Sequence, residues 1–458
     1  MTYASDLAEW AHGIAYDDLP DDVVQATKFR ILDVIGLSLA GLGTPFGQSV
    51  REAALAMNGG GPARLFGTGE KAGVTTAAMA NGAFSQAMEY DDTHNTSIVH
   101  MSGPSVAAAL ALAEVEAVSG RDLILAIAIG SEIACRIGSV APGQFHRRGF
   151  HPTGLFSPFG CTYLAGRLLG LSPVEMANAA GIVGSFAAGL LECWVDGTQS
   201  KYLHPGWAAQ SGIAAAYLGK TGTTGPAAVF EGRFGLIASH LQDAELAKDF
   251  DRITRGLGSE WVTRKASFKP FPAAHVIHPY LDAILKLRSD HRIDPAGVEE
   301  IIVPVAPFIL PIVCEPAEEK RRPNTDSHGR VSMQYSLAEA LHQGRLGKDA
   351  YGREALDNPE IQALTDRVTI VPDESFPGPE RFKGAVEIRM KDGAIYAHVE
   401  EHNRGSAENP MTRDEILGKF DENSADFLSP DRRSALIARV EGLEGLDAAR
   451  GVTDLAIG

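Results

Sequence analysis

Residues 86–114 read QAMEYDDTHNTSIVHMSGPSVAAALALAE, in which a cluster of acids and imidazoles runs directly into an alanine-rich apolar helix. The charged and imidazole side chains of this stretch are Glu89, Asp91, Asp92, His94 and His100. Carboxylates close to imidazoles shift each other's pKa values, which suits acid–base chemistry. The structural alternative is a polar turn that only starts the following helix. The stretch therefore predicts buried helices preceded by polar loops, with this loop as the first candidate site.

The helical pattern continues on both sides of this stretch. From about residue 5 to 240, the segments are rich in alanine and glycine, with apolar residues three and four positions apart. Residues 172–192 are predicted to be helical along with their neighbours. Small residues in consecutive helices predict close helix–helix packing in an all-α core.

The pattern changes near residue 265. Segments 298–310, 366–374 and 384–402 are rich in valine and isoleucine and predict strands. Asp392 and Gly393 lie between two alternating runs, which predicts a β-hairpin. Helical patterns return from Thr412. The sequence thus predicts a mainly α protein with an α+β unit placed between helical segments.

Composition limits the classes of partner. The chain has 458 residues, which is too long for one ordinary core and predicts two or more structural units. Hydrophobic residues make up 45% and charged residues 22%, as in a soluble globular protein. The net charge of −17 argues against nucleic acid or a membrane as a partner. A small anionic substrate requires a local cluster of lysine and histidine.

The cysteines and the N-terminus indicate a reducing compartment. Four cysteines lie far apart and form no CxxC pair, so neither a zinc ribbon nor an iron–sulfur cluster is supported. Sparse cysteines fit reduced thiols in a cytoplasmic protein. The first residues lack the basic and apolar regions of a signal peptide.

Two further polar loops precede apolar helices. HRRGFHPTG, residues 146–154, contains Arg148 and His151, which can bind a carboxylate or transfer a proton. DGTQSKYLHPGWAA, residues 196–209, contains Lys201 in a glycine-flanked turn, where a lysine is usually paired or functional. The structural alternatives are a basic surface loop and a solvated turn lysine.

The last two candidate segments lie where the pattern changes. SFKPFPAAHVIHPYLDA, residues 267–283, contains Lys269 and His275 at the domain junction, where binding sites commonly form. HGRVSMQYSLAEAL, residues 328–341, contains Tyr335 at the start of an apolar helix. An interdomain linker and a packing tyrosine are the structural alternatives. No GxGxxG after a strand, Walker A, HExxH or GxSxG sequence occurs, so the pattern indicates cofactor-free proton transfer.

In this order, the five segments resemble the MmgE/PrpD family. The family's signatures stand here as EYDDTHNTSIVH, FHPTG, GTQSKYLHPGWAA, FKPFPAAHVIHP and VSMQYSLAEAL. The resemblance implies an all-α domain built from residues 1–264 and 402–458, with an α+β lid domain inserted at 265–401. It also implies a homodimer that needs no metal or organic cofactor.

The resemblance also implies a set of site residues. The predicted catalytic residues are His100, His151, Lys201, Tyr335, Asp91 and Asp92. The predicted substrate-binding residues are Glu89, Thr93, Lys269, His275 and Arg148. One departure concerns His275, which stands where many dehydratase-like members have an arginine. Because arginine is a fixed bidentate carboxylate clamp and histidine is not, the departure weakens a tricarboxylate assignment.

The family's chemistry gives three predicted reactions. The favoured one is a hydro-lyase of the 2-methylcitrate dehydratase type, which abstracts a proton alpha to a carboxylate of a hydroxylated di- or tricarboxylate. An iminodisuccinate-like epimerase and a cis-aconitate-like decarboxylase are alternatives on related substrates. A non-catalytic carboxylate-binding protein is the alternative from another class.

Overall fold

The computed structural model describes residues 2–246, 249–378 and 381–458. The part before residue 247 is built almost entirely from helices, many of which begin at a serine or threonine cap. Its helices are α1 Tyr3–Gly13, α2 Asp21–Leu42, α3 Pro45–Asn58, α4 Val74–Gln86, α5 Ser102–Ala113, α6 Gly120–Gly138, α7 Gln144–Arg147, α8 Pro152–Leu168, α9 Pro173–Val183, α10 Cys193–Asp196, α11 His204–Lys220 and α12 Leu236–Leu241.

The later part of the chain contains the remaining helices and most of the strand residues. The helices are α13 His278–His291, α14 Ala317–Arg321, α15 Asp326–Arg330, α16 Met333–Gln343, α17 Arg353–Leu356, α18 Pro359–Thr365, α19 Arg413–Ser424 and α20 Pro430–Glu441. Three short strands lie in the earlier part: β1 Gly59–Arg64, β2 Lys71–Ala72 and β3 Thr93–His94. The strands of the later part are β4 Ala266–Ser267, β5 Val298–Val305, β6 Val368–Pro372, β7 Gly384–Met390 and β8 Ile395–Glu400. The protein is mainly α, as the sequence predicts.

Glycine lets the buried helices approach closely. A Cβ atom on Gly160 of α8 would lie 2.2 Å from the carbonyl oxygen of Gly130 in α6. A Cβ atom on Gly206 of α11 would lie 2.1 Å from the carbonyl oxygen of Met79 in α4. Any side chain at these two positions would collide with backbone, so the predicted close packing of small residues is confirmed.

Two hydrophobic cores organise the chain. One core combines residues between 4 and 266 with residues between 420 and 456. The second core lies between residues 271 and 388. The C-terminal helices therefore return to the first core: Phe420 of α19 packs against Gly36 of α2.

A four-stranded sheet belongs to the second core. Its strand order is β6-β5-β7-β8, with β5 parallel to β6 and antiparallel to β7. β7 and β8 form the hairpin predicted at Asp392-Gly393, and Gly393 takes the positive φ of 89° that such a turn requires.

The predicted helix over residues 172–192 is wrong in its second half. α9 ends at Val183, and the chain then runs beside the loop that precedes α8. The backbone N–H of His151 donates to the carbonyl of Gly189 at 2.9 Å, and that of Leu191 donates to Gly149 at 2.9 Å. These bonds to another loop replace helical bonds and position His151.

No single helix within residues 2–246, 249–378 or 381–458 is both long and apolar enough to cross a bilayer. Only α2 and α3 taken together, with a 93° bend between them, meet the length and composition criteria.

Candidate active site

A short two-stranded sheet brings together segments that are distant in sequence. β3 pairs antiparallel with β4, so that Thr93 lies opposite Ser267 and His94 lies opposite Ala266. Lys269 follows β4 and donates from its ammonium to the carbonyl oxygen of Glu89 at 3.1 Å. The pairing thereby places a lysine of the later segment in the loop after α4.

A cavity of about 420 Å³ is lined by residues from both parts of the chain. Its size is within the usual range for small-molecule sites. The predicted site residues that line it are Glu89, Thr93, His100, His151, Lys201, Lys269 and His275. All five predicted segments thus reach one cavity, the fifth through Val331 rather than Tyr335, and these seven side chains are buried.

Glu89 is the shared anion of two lysines. Its carboxylate accepts a hydrogen bond from Lys201, and Lys269 lies 3.9 Å from its other oxygen. Burial is the largest influence and would raise the pKa of Glu89, but the two lysines together lower that pKa below its ordinary value. Burial lowers the pKa of Lys269, against the opposing pull of Asp91 and Glu89. Glu89 is therefore held as a carboxylate between two cations.

The imidazole of His100 is fixed through Nδ1. This atom lies 2.8 Å from the carbonyl oxygen of Asp92 and 3.3 Å from Oδ2 of Asp91. A carbonyl only accepts hydrogen bonds, so we assign a proton to Nδ1 on this network. Nε2 makes no hydrogen bond to a residue that the structure describes. In the neutral ring, Nε2 then offers a lone pair beside the cavity.

Asp91 lies behind His100 and Lys269. Its Oδ1 is 3.7 Å from the Lys269 ammonium, and Gln86 donates to its Oδ2 at 3.2 Å. Burial would raise the pKa of Asp91, but His100 and Lys269 outweigh burial and hold that pKa well below its usual range. Asp91 does not itself line the cavity, so its contacts fit a carboxylate that orients the histidine.

Asp92 points to a different set of partners. Arg30 donates to its carboxylate at 3.2 Å, and both the backbone N–H and the hydroxyl of Ser102 donate to it as well. The side chain therefore anchors the start of α5 and pairs with a buried arginine of α2. These contacts are structural, and its backbone carbonyl holds His100; a catalytic role for Asp92 stays a prediction.

His151 is coupled to a second imidazole. Its Nδ1 lies 2.8 Å from Nδ1 of His204, so one of these atoms donates and the other accepts. Nε2 of His151 is buried and has no partner among the described residues. Burial lowers the pKa of His151 well below its usual value and, together with Lys201, lowers the pKa of His204 to about 4. Both rings are therefore neutral near pH 7.

Part of the cavity surface is apolar. Phe308, Pro311 and Ile312 come from the segment after β5, and Val331 and Phe382 join them. Further apolar lining residues are Ile98, Leu191, Trp194, Ala274 and Val276. The cavity thus combines a charged region at Glu89 with an apolar wall from the second core.

Potential metal ligands are not clustered in the described ranges. Across residues 2–246, 249–378 and 381–458, no three His, Cys, Asp or Glu side chains are grouped to hold a metal ion. Independence from a metal stays a prediction.

Comparison with protein families identifies the chain. The MmgE/PrpD N-terminal domain matches residues 5–249, and the MmgE/PrpD C-terminal domain matches residues 271–444. The chain belongs to the MmgE/PrpD family. Together these two domains account for most of its length.

Relatives within the MmgE/PrpD family carry one activity in their names. A cis-aconitate decarboxylase of Aspergillus terreus is 29% identical over 96% of this chain and 93% of the relative. The cis-aconitate decarboxylase of Mus musculus is 25% identical over 99% of this chain and 93% of the relative. The cis-aconitate decarboxylase of Homo sapiens is 26% identical over 98% of this chain and 93% of the relative.

Besides Asp91 and Asp92, two residues predicted from the MmgE/PrpD resemblance lie outside the cavity lining. The hydroxyl of Tyr335 is buried in the second core and donates to the carbonyl of Ala350 at 2.9 Å. The side chain of Arg148 is exposed, and the adjacent Arg147 lines the cavity instead. The distinction follows from the last turn of α7, which directs neighbouring side chains to different sides.

His275 lines the cavity of this MmgE/PrpD protein as a neutral group. The side-chain amide of Asn403 donates to its Nε2 at 2.9 Å. Burial and the nearby His278 lower the pKa of His275 well below its usual value. The position that carries arginine in many dehydratase-like members thus contributes no cation here.

Two buried cations hold the backbone around Glu89 and were missed from the sequence. Arg330 donates to the carbonyl of Met88 at 2.9 Å and to that of Pro272 at 3.1 Å. Lys419 donates to the carbonyl of Tyr90 at 2.8 Å. Glu89 lies between these anchored carbonyls with φ at +52°, a strained value for a non-glycine residue. Arg330 lies in the candidate segment 328–341, whereas Lys419 lies in none of the five candidate segments.

Proposed function

We propose that this chain is a cofactor-independent lyase that acts on a carboxylate substrate in the cavity beside Glu89. The observation that carries the proposal is the convergence of Lys201, Lys269, His100 and His151 on one enclosed space. Buried cations beside imidazoles suit reactions in which negative charge develops on a bound carboxylate. The names of the family relatives favour decarboxylation within this class.

Decarboxylation needs stabilisation of charge and a proton for carbon. The bond between carbon and the leaving carboxylate breaks, and carbon dioxide departs. The electron pair of the broken bond stays on the substrate and is delocalised toward a remaining carboxylate. Lys201 and Lys269 would stabilise this charge, and one well-placed donor contributes about 2.7–4 kcal/mol. His151 would deliver the proton from Nε2 to carbon. As this proton leaves, His204 would donate its Nδ1 proton to Nδ1 of His151 through their 2.8 Å contact, and the half-buried His204 would take up a proton from solvent at Nε2.

The geometry of His100 favours a second candidate, a hydro-lyase or an epimerase. Its Nδ1 is held by a carbonyl oxygen, which leaves the Nε2 lone pair available as a base. Such a base would accept a proton from the carbon alpha to a carboxylate. In dehydration, His151 would then protonate the departing hydroxyl, whereas in epimerisation it would return a proton to the opposite face of carbon.

The organisation of the protein is part of the same proposal. We infer an inserted lid at residues 265–401, supported by the separate core and sheet of that region. We also infer a homodimer, supported by exposed apolar side chains such as Phe234 at 80% and Val195 at 69% exposure. A cytoplasmic location is supported by the four cysteines, which are all free. Light scattering after size-exclusion chromatography tests the dimer.

An NMR assay in deuterated water separates the reactions. Incubation with cis-aconitate, 2-methylcitrate, citrate and iminodisuccinate distinguishes loss of carbon dioxide, loss of water and deuterium exchange without net change. We expect carbon dioxide release with deuterium incorporated at carbon. Saturable binding without turnover or exchange of any bound acid would instead support a non-catalytic carboxylate-binding protein.

The predicted independence from metals has its own test. We expect activity to survive dialysis against a chelator. Loss of activity that added iron or zinc restores would overturn the cofactor-free mechanism.

A further inference from the structure

Resting on the proposed function, we propose that the substrate is a dicarboxylate with an apolar side chain of several carbons. Its carboxylates would lie at Lys201 and Lys269, and its apolar side chain would lie against Phe308, Ile312 and Phe382. Two independent features of the cavity support this substrate class: its balance of charge and its apolar wall.

The buried charges at the cavity are already balanced. Lys201 and Lys269 face the carboxylates of Glu89 and Asp91, so these four groups sum to zero formal charge. Among the described lining residues, Arg147 is the further cation, and it is exposed to solvent. Each carboxylate of a substrate therefore adds negative charge to a buried region, so a substrate with three carboxylates is costlier to bind than one with two.

Three of the four imidazoles that line the cavity do not change this balance. Burial depresses the pKa of His146 to about 4 and lowers the pKa values of His151 and His275 well below their usual range. Neutral imidazoles can donate hydrogen bonds to one carboxylate but contribute no net positive charge. His100 is the fourth, and its Nδ1 is already held by the carbonyl of Asp92 and the carboxylate of Asp91, so the described lining residues hold no further buried cation free for a third carboxylate.

The apolar wall fits a carbon chain better than a carboxylate. Phe308 and Ile312 pack on the second core but remain partly exposed, and the residues in contact with the cavity at this point are hydrocarbon. Phe382 packs its ring against His275 at 5.2 Å between centroids, which closes the wall next to the polar region. Apolar surface that faces a ligand site contributes affinity when the ligand covers it with carbon.

Substituted maleates test both features with one scaffold. cis-Aconitate is maleate with a carboxymethyl substituent, so methyl-, propyl- and pentylmaleate replace one carboxylate by an apolar group. We expect calorimetry to show Kd falling by about fourfold for each added methylene, the value for burying one methylene of about 0.8 kcal/mol. We also expect pentylmaleate to bind more tightly than cis-aconitate.

Substitutions in the apolar wall test whether it causes the dependence of Kd on alkyl chain length. Phe308→Ser should flatten the dependence of Kd on chain length, and Ile312→Lys should shift preference toward cis-aconitate by at least about tenfold, because it adds a cation. Val174→Ser is the matched control, since Val174 is 71% exposed and does not line the cavity. Thermal melts confirm that each variant is folded, and Ile312→Lys stands as the second test if Phe308→Ser is unfolded.

The outcomes separate this inference from the proposed function. Turnover of cis-aconitate with no gain from alkyl groups would overturn the substrate class and leave the lyase proposal standing. Tight binding of pentylmaleate that Phe308→Ser weakens, with no turnover of any acid, would support the ligand class and refute the lyase. Failure of all four acids to bind refutes both.

Discussion

Replacing Lys419 by methionine tests the buried ion pair that connects the C-terminal helix α19 to the site. Its ammonium lies 2.7 Å from Oδ1 of Asp33 in α2, and both side chains are at most 4% exposed. The same ammonium donates to the carbonyl of Tyr90, next to Glu89. Methionine keeps most of the volume and removes the charge, so Asp33 is left as a buried carboxyl without a cation.

The pKa of Asp33 gives the size and the pH dependence of the effect. Burial raises this pKa to about 6, although the attraction of Lys419 opposes the shift. A carboxyl with a raised folded pKa stabilises the fold below its unfolded value of about 3.9, and this contribution is lost as pH rises through the folded pKa. Without Lys419, the folded pKa rises further. The variant should therefore lose about 1.4 kcal/mol relative to wild type for each pH unit above 6.

At pH 8 the expected loss is about 3 kcal/mol, at the lower end of the cost of breaking a buried ion pair. Differential scanning fluorimetry should show a melting temperature lower by about 3 °C at pH 8, and a smaller drop at pH 6. The control is Lys286→Met, because the pair of Lys286 with Asp290 is half exposed and should contribute less than about 1 kcal/mol.

The double variant Asp33→Asn with Lys419→Met isolates the charge. Removal of both charges should recover part of the stability at pH 8, and the cycle of single and double variants measures the coupling. The reasoning is refuted if Lys419→Met melts within 1 °C, or about 1 kcal/mol, of wild type at both pH values. It is also refuted if the double variant is no more stable at pH 8 than Lys419→Met alone.

Three further predictions concern turnover. Lys201→Ala and His100→Ala should each reduce kcat by about 10²–10³ while the melting temperature shows a folded protein, and near-normal rates in both would mean that the site is misplaced. His204→Phe should slow kcat more than it changes KM and increase the solvent deuterium isotope effect, because His151 loses its proton donor; an unchanged isotope effect would contradict the relay. Arg147→Ala should raise KM for anionic substrates several-fold, whereas Arg148→Ala should leave KM unchanged; equal effects would contradict their different placement.

Much of the fold follows from local pattern. Alanine and glycine at helical spacing predict the buried helices, and Gly160 and Gly206 show the reason, since their contacts leave no room for a Cβ atom. The Asp392-Gly393 turn predicts its hairpin because a left-handed glycine is required there. The error at residues 184–192 arises because bonds to the loop before α8 replace the helical bonds, and no local pattern encodes that partner.

The sequence by itself indicated which segments carry the site, because polar loops before apolar helices are costly unless they have partners. Only the tertiary structure decided which side chains of those loops face the cavity. Asp91 and Asp92 are adjacent, yet one backs His100 and the other pairs with Arg30. Lys269 reaches Glu89 only because β3 and β4 pair across the chain. Contacts between residues so distant in sequence depend on packing of the whole fold, and that is why the acids and histidines of residues 86–114 acquire distinct roles only there.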